Sequence, residues 1–138
     1  MFSKISAGWR FSKARPASLR KSAMENITID ATNKKLGRVA TEAASILMGK
    51  NKPSFAKNIV AEVKVTITNA SKADIRDKKM IGKEYQFYSG YPGGQKTLSM
   101  KQLSIRKGYG ELFKIAIKGM IPRNKLRSEV MKNLVITE

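Results

Sequence analysis

The sequence of 138 residues predicts an α/β domain with at least partly parallel strands. Three successive patterns support this prediction. Apolar residues alternate with polar ones over residues 26–30, recur at helical spacing over residues 36–47, and alternate again over residues 63–68. Strand, helix and strand in this order are typical of a β-α-β unit. A hydrophobic fraction of 41% is sufficient for a folded core.

Local signals predict where the first elements end and where the next begin. Gly49 and Pro53 predict that the first helix closes at about residue 48. Tyr85 and Phe87 indicate a third strand, which follows a charged turn over residues 74–83. The acids of that turn, Asp74 and Asp77, stand among Arg and Lys residues. We therefore interpret them as members of local ion pairs rather than as a metal site.

Four further elements are predicted in the C-terminal part of the chain. They are a helix capped by Ser99 that runs to Lys107, a helix over residues 112–119 that stops at Pro122, a short helix carrying Leu126 and Val130, and a strand over residues 134–137. We find no internal repeat and no linker in this region. Residues 24–138 are therefore predicted to form a single domain.

Residues 1–23 differ in composition from the rest of the chain, because they contain six Lys or Arg and no acid. Serines are scattered among them. This composition is typical of an organellar transit peptide and also of a basic arm that follows a polyanion, and we favour the basic arm. Trp9 and Phe11 lie among the charges. They are suited either to stacking on bases or to anchoring the segment on the protein's own surface.

The charge balance is the strongest indication of a partner. Twenty-eight Lys and Arg oppose ten Asp and Glu, which gives a formal net charge of +18. Such a charge repels itself in the folded state, so it predicts a polyanionic partner. Nucleic acid is the leading candidate, because each cation placed on a phosphate releases condensed counterions.

Other classes of protein are disfavoured by what the sequence lacks. It has no Cys and no His, which excludes disulfides, thiolate metal sites and the commonest general base. The ten acids are scattered and assemble no catalytic constellation. No apolar run approaches the roughly 20 residues that span a bilayer. We therefore expect no enzyme activity, no cofactor, no metal and no membrane partner.

The glycine-rich segment over residues 89–97 is close to the phosphate-binding loop pattern GxxxxGK[ST]. Gln95 stands where the second glycine is required, and Pro92 removes one backbone donor. A nucleotide-binding loop is therefore disfavoured. Two interpretations stay open: a plain surface turn, or a turn whose backbone closely approaches RNA. In the second, the contributing residues would be Tyr88, Tyr91, Gly93, Gly94 and Lys96.

Basic clusters supply the other candidate RNA-binding residues. Cations at the start of the first helix oppose its dipole, which favours an external anion, and a Gly–Pro break between the last helices places cations beside backbone donors. A solvated basic surface is the alternative for each cluster. The candidates are Arg10, Lys13, Arg15, Arg20 and Lys21 in the N-terminal segment, Lys34, Lys35 and Arg38 at the first helix, Lys50, Lys52 and Lys57 in the loop after it, and Arg123, Asn124, Lys125 and Arg127 at the last break.

Five segments together resemble the bacterial-type large-subunit ribosomal protein thirteen family. They are Ile-Asp-Ala-Thr-Asn-Lys-Lys-Leu-Gly-Arg-Val-Ala-Thr at 29–41, Leu-Met-Gly-Lys at 47–50, Ile-Thr-Asn-Ala-Ser at 67–71, Tyr-Ser-Gly-Tyr-Pro-Gly-Gly at 88–94, and Lys-Gly-Met-Ile-Pro-Arg-Asn-Lys-Leu at 118–126. The segments occur in the family's order and spacing. They cover nearly the whole predicted domain.

The resemblance implies a three-layer α/β/α domain around a mostly parallel four-stranded sheet. It also implies a structural role on large-subunit ribosomal RNA, early entry into subunit assembly, and neighbouring ribosomal proteins as partners. We expect no small-molecule substrate and no homo-oligomer. The expected location is the large ribosomal subunit in the cytoplasm, or an organellar ribosome if residues 1–23 are the remnant of a targeting signal. An RNA-binding regulator with the same domain and a phosphate-binding enzyme are the rival interpretations.

The sequence departs from the family pattern at two places within the domain. Residues 58–63 replace a His-x-Asp-x-Gly-Asp run that family members commonly carry. Arg127 takes a position where glycine is frequent, and it is expected either to add a phosphate contact or to reshape the last helix. The basic segment at residues 1–23 is also longer than a typical bacterial start.

Overall fold

The computed structural model describes residues 24–138 and confirms a mixed α/β fold. The predictions made for residues 1–23 lie outside this range. The strands are β1 (Glu25–Asp30), β2 (Val63–Thr68), β3 (Glu84–Tyr88), β4 (Gln95–Ser99) and β5 (Leu134–Ile136). The helices are α1 (Leu36–Leu47), α2 (Asp77–Gly82), α3 (Met100–Met120) and α4 (Arg127–Lys132).

Three parallel strands form the main sheet in the order β1–β2–β5. Ile67 of β2 lies opposite Ile29 on one side and opposite Ile136 on the other. Val63, Val65 and Ile67 are buried because alternate residues of the central strand face the core. The predicted β-α-β start and the predicted final strand are therefore confirmed.

The four-stranded parallel sheet that the resemblance implies is not what the described residues form. The strand predicted at Tyr85 and Phe87 exists as β3, but it pairs antiparallel with β4 in a separate sheet. No sequence pattern had predicted β4. A short glycine-rich turn returns the chain directly along β3, so that β3 finds its hydrogen-bonding partner locally. The three-layer arrangement stays a prediction.

Helix α1 carries the predicted apolar stripe and ends where predicted. Gly49 has a φ of 74°, its N–H donates to the carbonyl of Ile46 over 2.9 Å, and the N–H of Lys50 donates to Ser45 over 3.1 Å. This pair of bonds satisfies the last carbonyls of the helix in a Schellman motif. A Cβ at Gly49 would lie 2.9 Å from that of Ala61, so the position also needs glycine for space.

Helix α3 contains the two helical segments that the sequence predicts. Ser99 and Gln102 form a capping box at its start. Gly108, with φ 79° and ψ 172°, interrupts the helix directly after Lys107. Helix α3 packs on α1, and its second segment contains Phe113, the largest fully buried side chain of the core.

The charged turn predicted over residues 74–83 is wrong in part, because Asp77–Gly82 forms the short helix α2. Among the described residues, neither Asp74 nor Asp77 makes an ion pair. Asp77 lies instead in the first turn of α2, where a carboxylate interacts favourably with the helix dipole. The backbone N–H of Asp74 donates to the carbonyl of Lys34 over 3.0 Å, and this bond links the segment to the start of α1.

Candidate nucleic-acid interface

The predicted site residues of the N-terminal segment lie outside the described residues. These are Arg10, Lys13, Arg15, Arg20 and Lys21. The other predicted residues all lie within residues 24–138. No Lys or Arg among residues 24–138 is buried, so the cations of the domain face solvent or its margin.

The start of α1 gathers three of the predicted cations. Lys34, Lys35 and Arg38 are exposed and line one surface cavity of about 410 Å³. Lys35 occupies the N-cap position but provides no side-chain cap, and the first turn of α1 contains no acid. Glu42 and Asp74 line the same cavity, so it offers cations together with two carboxylates.

The loop after α1 separates its three predicted lysines by environment. Lys50 and Lys57 line a cavity of about 520 Å³, where the fold brings them together with Asn124 from the α3–α4 junction. Lys52 points elsewhere, because its Nζ lies 2.7 Å from the Glu25 carboxylate. Its charge is therefore already engaged within the domain.

The break between α3 and α4 also contains residues with different roles. Arg123 and Lys125 are exposed, and the N–H of Asn124 donates to the carbonyl of Pro122 over 3.0 Å. The guanidinium of Arg127 donates to the carbonyl of Lys118 near the end of α3. This bond ties the start of α4 to the end of α3, and both roles expected for Arg127 stay predictions.

The glycine-rich segment is the turn of the β3–β4 hairpin. The N–H of Gly94 donates to the carbonyl of Tyr91 over 2.9 Å, and Gly93 has a φ of 71°. Pro followed by a glycine of positive φ is the residue pattern of a type II turn. A Cβ at Gly94 would lie 2.9 Å from the Tyr91 carbonyl oxygen and would also meet the Ser89 side chain. Because the turn joins two strands, it lacks the strand–loop–helix context of a nucleotide-binding loop.

The hairpin presents its predicted contact residues on two faces. Tyr88 lies opposite Gln95, whereas Lys96 lies opposite Phe87. Directly paired residues share a face and successive residues alternate, so Tyr88 and Lys96 point to opposite sides. Tyr88 is 68% exposed and Tyr91 is 75% exposed, which leaves both rings available for stacking.

Two cations that sequence reasoning missed lie over aromatic rings on the Lys96 face. The Nζ of Lys83 lies 5.5 Å from the centre of the Tyr85 ring, and that of Lys107 lies 5.7 Å from the centre of the Phe87 ring. Burial raises the pKa of Tyr85. Alternation along the strand could have placed Lys83 on this face. Lys107 belongs to α3, and it lies over Phe87 only because the hairpin packs on that helix.

Sequence reasoning also missed three exposed apolar side chains. Phe55, Ile59 and Met120 line the cavity that contains Lys50 and Lys57. The sequence signal was the presence of Phe55 and Ile59 in a lysine-rich loop, where their exposure could not be foreseen.

Within residues 24–138 there is no group of three or more acids suited to a metal ion, and no helix there combines the length and hydropathy required to cross a bilayer.

The comparisons with known proteins agree on one family. The model of the ribosomal protein L13 family matches residues 24–138. The large ribosomal subunit protein uL13 of Aliarcobacter butzleri is 44% identical over 110 residues, which cover 80% of this chain and 78% of that protein. The uL13 protein of Clostridioides difficile is 38% identical over 121 residues, which cover 88% of this chain and 82% of that protein. The chain therefore belongs to the ribosomal protein L13 family.

Proposed function

We propose that this chain is a non-enzymatic structural constituent of the large ribosomal subunit, that it binds large-subunit ribosomal RNA, and that it supports early subunit assembly. The observation that carries the proposal is membership of the L13 family over the whole described domain. The relatives named above are large ribosomal subunit proteins, which gives the subunit in which this chain belongs.

The proposed mechanism is counterion release over a broad basic surface. Neutralising RNA phosphates with Lys and Arg releases condensed cations, and affinity then falls as salt rises. Folded RNA is recognised mainly by its shape and by its unpaired bases, so we expect specificity from geometry and from a few stacked bases. Exposed Tyr88 at the end of β3 and exposed Tyr91 in the tight turn suit that second contribution.

The site residues are proposed in the light of their contacts. We assign phosphate contact to the exposed cations of the α1 start, of the loop after α1, of the hairpin and of the α3–α4 junction. Lys52 and Arg127 are bonded within the domain, and we assign them a structural role. The cations assigned to phosphate are Lys34, Lys35, Arg38, Lys50, Lys57, Lys83, Lys96, Lys107, Arg123 and Lys125.

The proposed partners follow from the same assignment. Neighbouring large-subunit proteins contact the chain in the assembled particle, and the chain acts there as a single copy without a small-molecule substrate. The proposed location is the cytoplasmic ribosome. An organellar ribosome is the alternative in the case that residues 1–23 are the remnant of a targeting signal.

Quantitative mass spectrometry across a sucrose gradient of cell lysate tests this function. The expected result is a constant one-to-one ratio to known large-subunit proteins in the large-subunit and whole-ribosome fractions, retained after a moderate salt wash. A chain that stays at the top of the gradient, or that appears only on assembly precursors, would overturn the structural role and would indicate a regulator or an assembly factor.

A further inference from the structure

An apolar groove lies beside the loop that follows α1. Its cavity of about 520 Å³ is lined mainly by apolar side chains from that loop and from the α3–α4 junction. Three of them stay largely accessible: Phe55 is 41% exposed, Ile59 66% and Met120 42%. Exposed apolar side chains that gather in one place mark a binding surface.

The groove has a neighbouring cavity close to the point where the described chain begins. A second cavity of about 410 Å³ shares Phe55 and Ile59 with the first, and it is also lined by Lys52 and Glu62. Glu25, the first residue of β1, contacts both of the latter. Its carboxylate pairs with Lys52 over 2.7 Å, and its N–H donates to the carbonyl of Glu62 over 3.2 Å. The described chain therefore begins beside the second cavity, which shares Phe55 and Ile59 with the groove.

We propose that this groove binds the chain's own N-terminal segment, with Trp9 and Phe11 as the side chains that fill it. About 15 residues separate Trp9 from Met24, and in extended form they span about 50 Å, which is ample for a neighbouring groove. Covalent linkage gives the segment a high effective concentration, so a weak contact is sufficient. Aromatic rings also bury more apolar area than other side chains.

Electrostatics give this proposal a distinctive salt dependence. The segment is basic, and Lys50 and Lys57 line the groove, so the charges repel each other at low salt. Added salt screens this repulsion but does not weaken apolar burial. Docking therefore strengthens as salt rises, whereas RNA binding weakens. Because salt has opposite effects on docking and on RNA binding, a salt titration distinguishes rings held in the groove from rings stacked on RNA.

The anchored segment would extend the proposed RNA-binding surface. Its basic residues would be held beside the loop that carries Lys50 and Lys57, instead of at a variable distance from the domain. The proposal does not depend on the ribosomal role, since docking is a property of the isolated chain. Its failure would leave that role untouched.

Trp9 is the only tryptophan of the chain, so its fluorescence reports the groove directly. In the full-length protein without RNA, we expect blue-shifted emission and a severalfold reduction in acrylamide quenching compared with the unfolded chain, both increasing with salt. Ile59→Gln and Met120→Gln should return Trp9 to a solvent-exposed signal, since each removes apolar contact without adding a charge that would attract the basic segment. Ile81→Gln is the control, because Ile81 is 70% exposed and lines neither cavity. Solvent-exposed emission in the parent protein, or an equal response to all three variants, would overturn the proposal.

Cross-linking provides a second measurement, since the chain contains no Cys. Phe11→Cys combined with Ile59→Cys should form an intramolecular disulfide rapidly, whereas Phe11→Cys combined with Ile81→Cys should form it much more slowly. Equal rates in the two double variants would contradict the proposal. Disulfide-linked dimers as the main product would assign the groove to a second copy, and a cross-link that forms only with added ribosomal RNA would assign the rings to RNA.

Discussion

The carboxylate of Asp30 accepts a hydrogen bond from Nδ2 of Asn69 over 3.1 Å, and this bond joins the end of β1 to the residue that follows β2. The same oxygen accepts bonds from the backbone N–H of Thr32 at 3.0 Å and from its hydroxyl at 2.7 Å. Asn69 has a φ of 57°, a conformation that Asn tolerates better than most residues. Two of the segments that carry the family resemblance are therefore held together by one exposed carboxylate.

This network predicts a pH dependence of stability. The bonds from Thr32 and then Asn69 lower the pKa of Asp30 from 3.8 to about 2. A carboxylate whose pKa is depressed on folding contributes stability that is complete above its unfolded pKa and is lost as pH falls through the folded value. We expect the Tm difference between the parent protein and Asp30→Asn to be constant above the unfolded pKa and to shrink between about pH 4 and pH 2.

Asn69→Ala provides the matched variant for this experiment. Asn69→Ala removes one donor to the carboxylate and should raise the pKa of Asp30. In the Asn69→Ala background, the Tm difference caused by Asp30→Asn should therefore disappear at a higher pH than it does in the parent protein. Thermal unfolding followed by circular dichroism over the acid range measures both variants. Parallel curves for the parent and Asp30→Asn down to pH 2 would rule out a stabilising role for the Asp30 carboxylate.

Gly94→Ala should destabilise the hairpin, because the new Cβ would lie 2.9 Å from a backbone oxygen that is fixed in the turn. We expect the free energy of unfolding to fall by about 1–3 kcal/mol, the usual cost of overpacking. Gly37→Ala in α1 is the control, since nothing lies within 4 Å of its Cβ position and alanine favours the helix. Chemical denaturation measures both. A loss at Gly37 equal to the loss at Gly94 would remove the steric explanation.

Lys50→Ala and Lys52→Ala should differ in their effect on RNA affinity. Lys50 is assigned to phosphate, so its loss should weaken binding and reduce the salt slope by about 1. Lys52 is paired with Glu25, and its loss should leave the slope unchanged and cost only a few tenths of a kcal/mol of stability, since the pair is partly exposed. Titrations with large-subunit ribosomal RNA at several salt concentrations measure the salt slope of each variant. Equal slopes for the two variants would contradict the assignment.

Arg127→Ala should mainly lower stability, whereas Arg123→Ala should mainly weaken RNA binding. Arg127 donates to the Lys118 carbonyl, and losing a charge-assisted hydrogen bond should lower the free energy of unfolding by about 1–3 kcal/mol with little change in the RNA salt slope. Arg123 is exposed, so its loss should reduce the slope by about 1 and change stability by less than about 0.5 kcal/mol. If Arg127→Ala leaves stability unchanged and reduces the salt slope of RNA binding, Arg127 contacts phosphate and the structural assignment is wrong.

Short-range pattern was sufficient for most of the secondary structure. Alternation predicted β1 and β2, helical spacing predicted α1, and Gly49 and Ser99 predicted the limits of their helices, because each of these signals acts within a few residues. The same kind of signal failed for β4. Its alternation is weak, and it becomes a strand only because the turn at residues 89–94 places it against β3.

The grouping of the cations could not be read from the chain, since it depends on contacts between segments that are distant in sequence. Packing of the α3–α4 junction against the loop after α1 brings Asn124 to Lys50 and Lys57, and the hairpin brings Phe87 to Lys107. Neighbouring cations also differ in whether they are paired. Lys52 forms an ion pair with Glu25, whereas Lys50, two residues away, faces solvent. Composition and motifs were thus enough for the family and for a polyanionic partner. Which cations remain available to that partner is set by long-range packing, because a charge is free to bind RNA only where the fold has not already paired it.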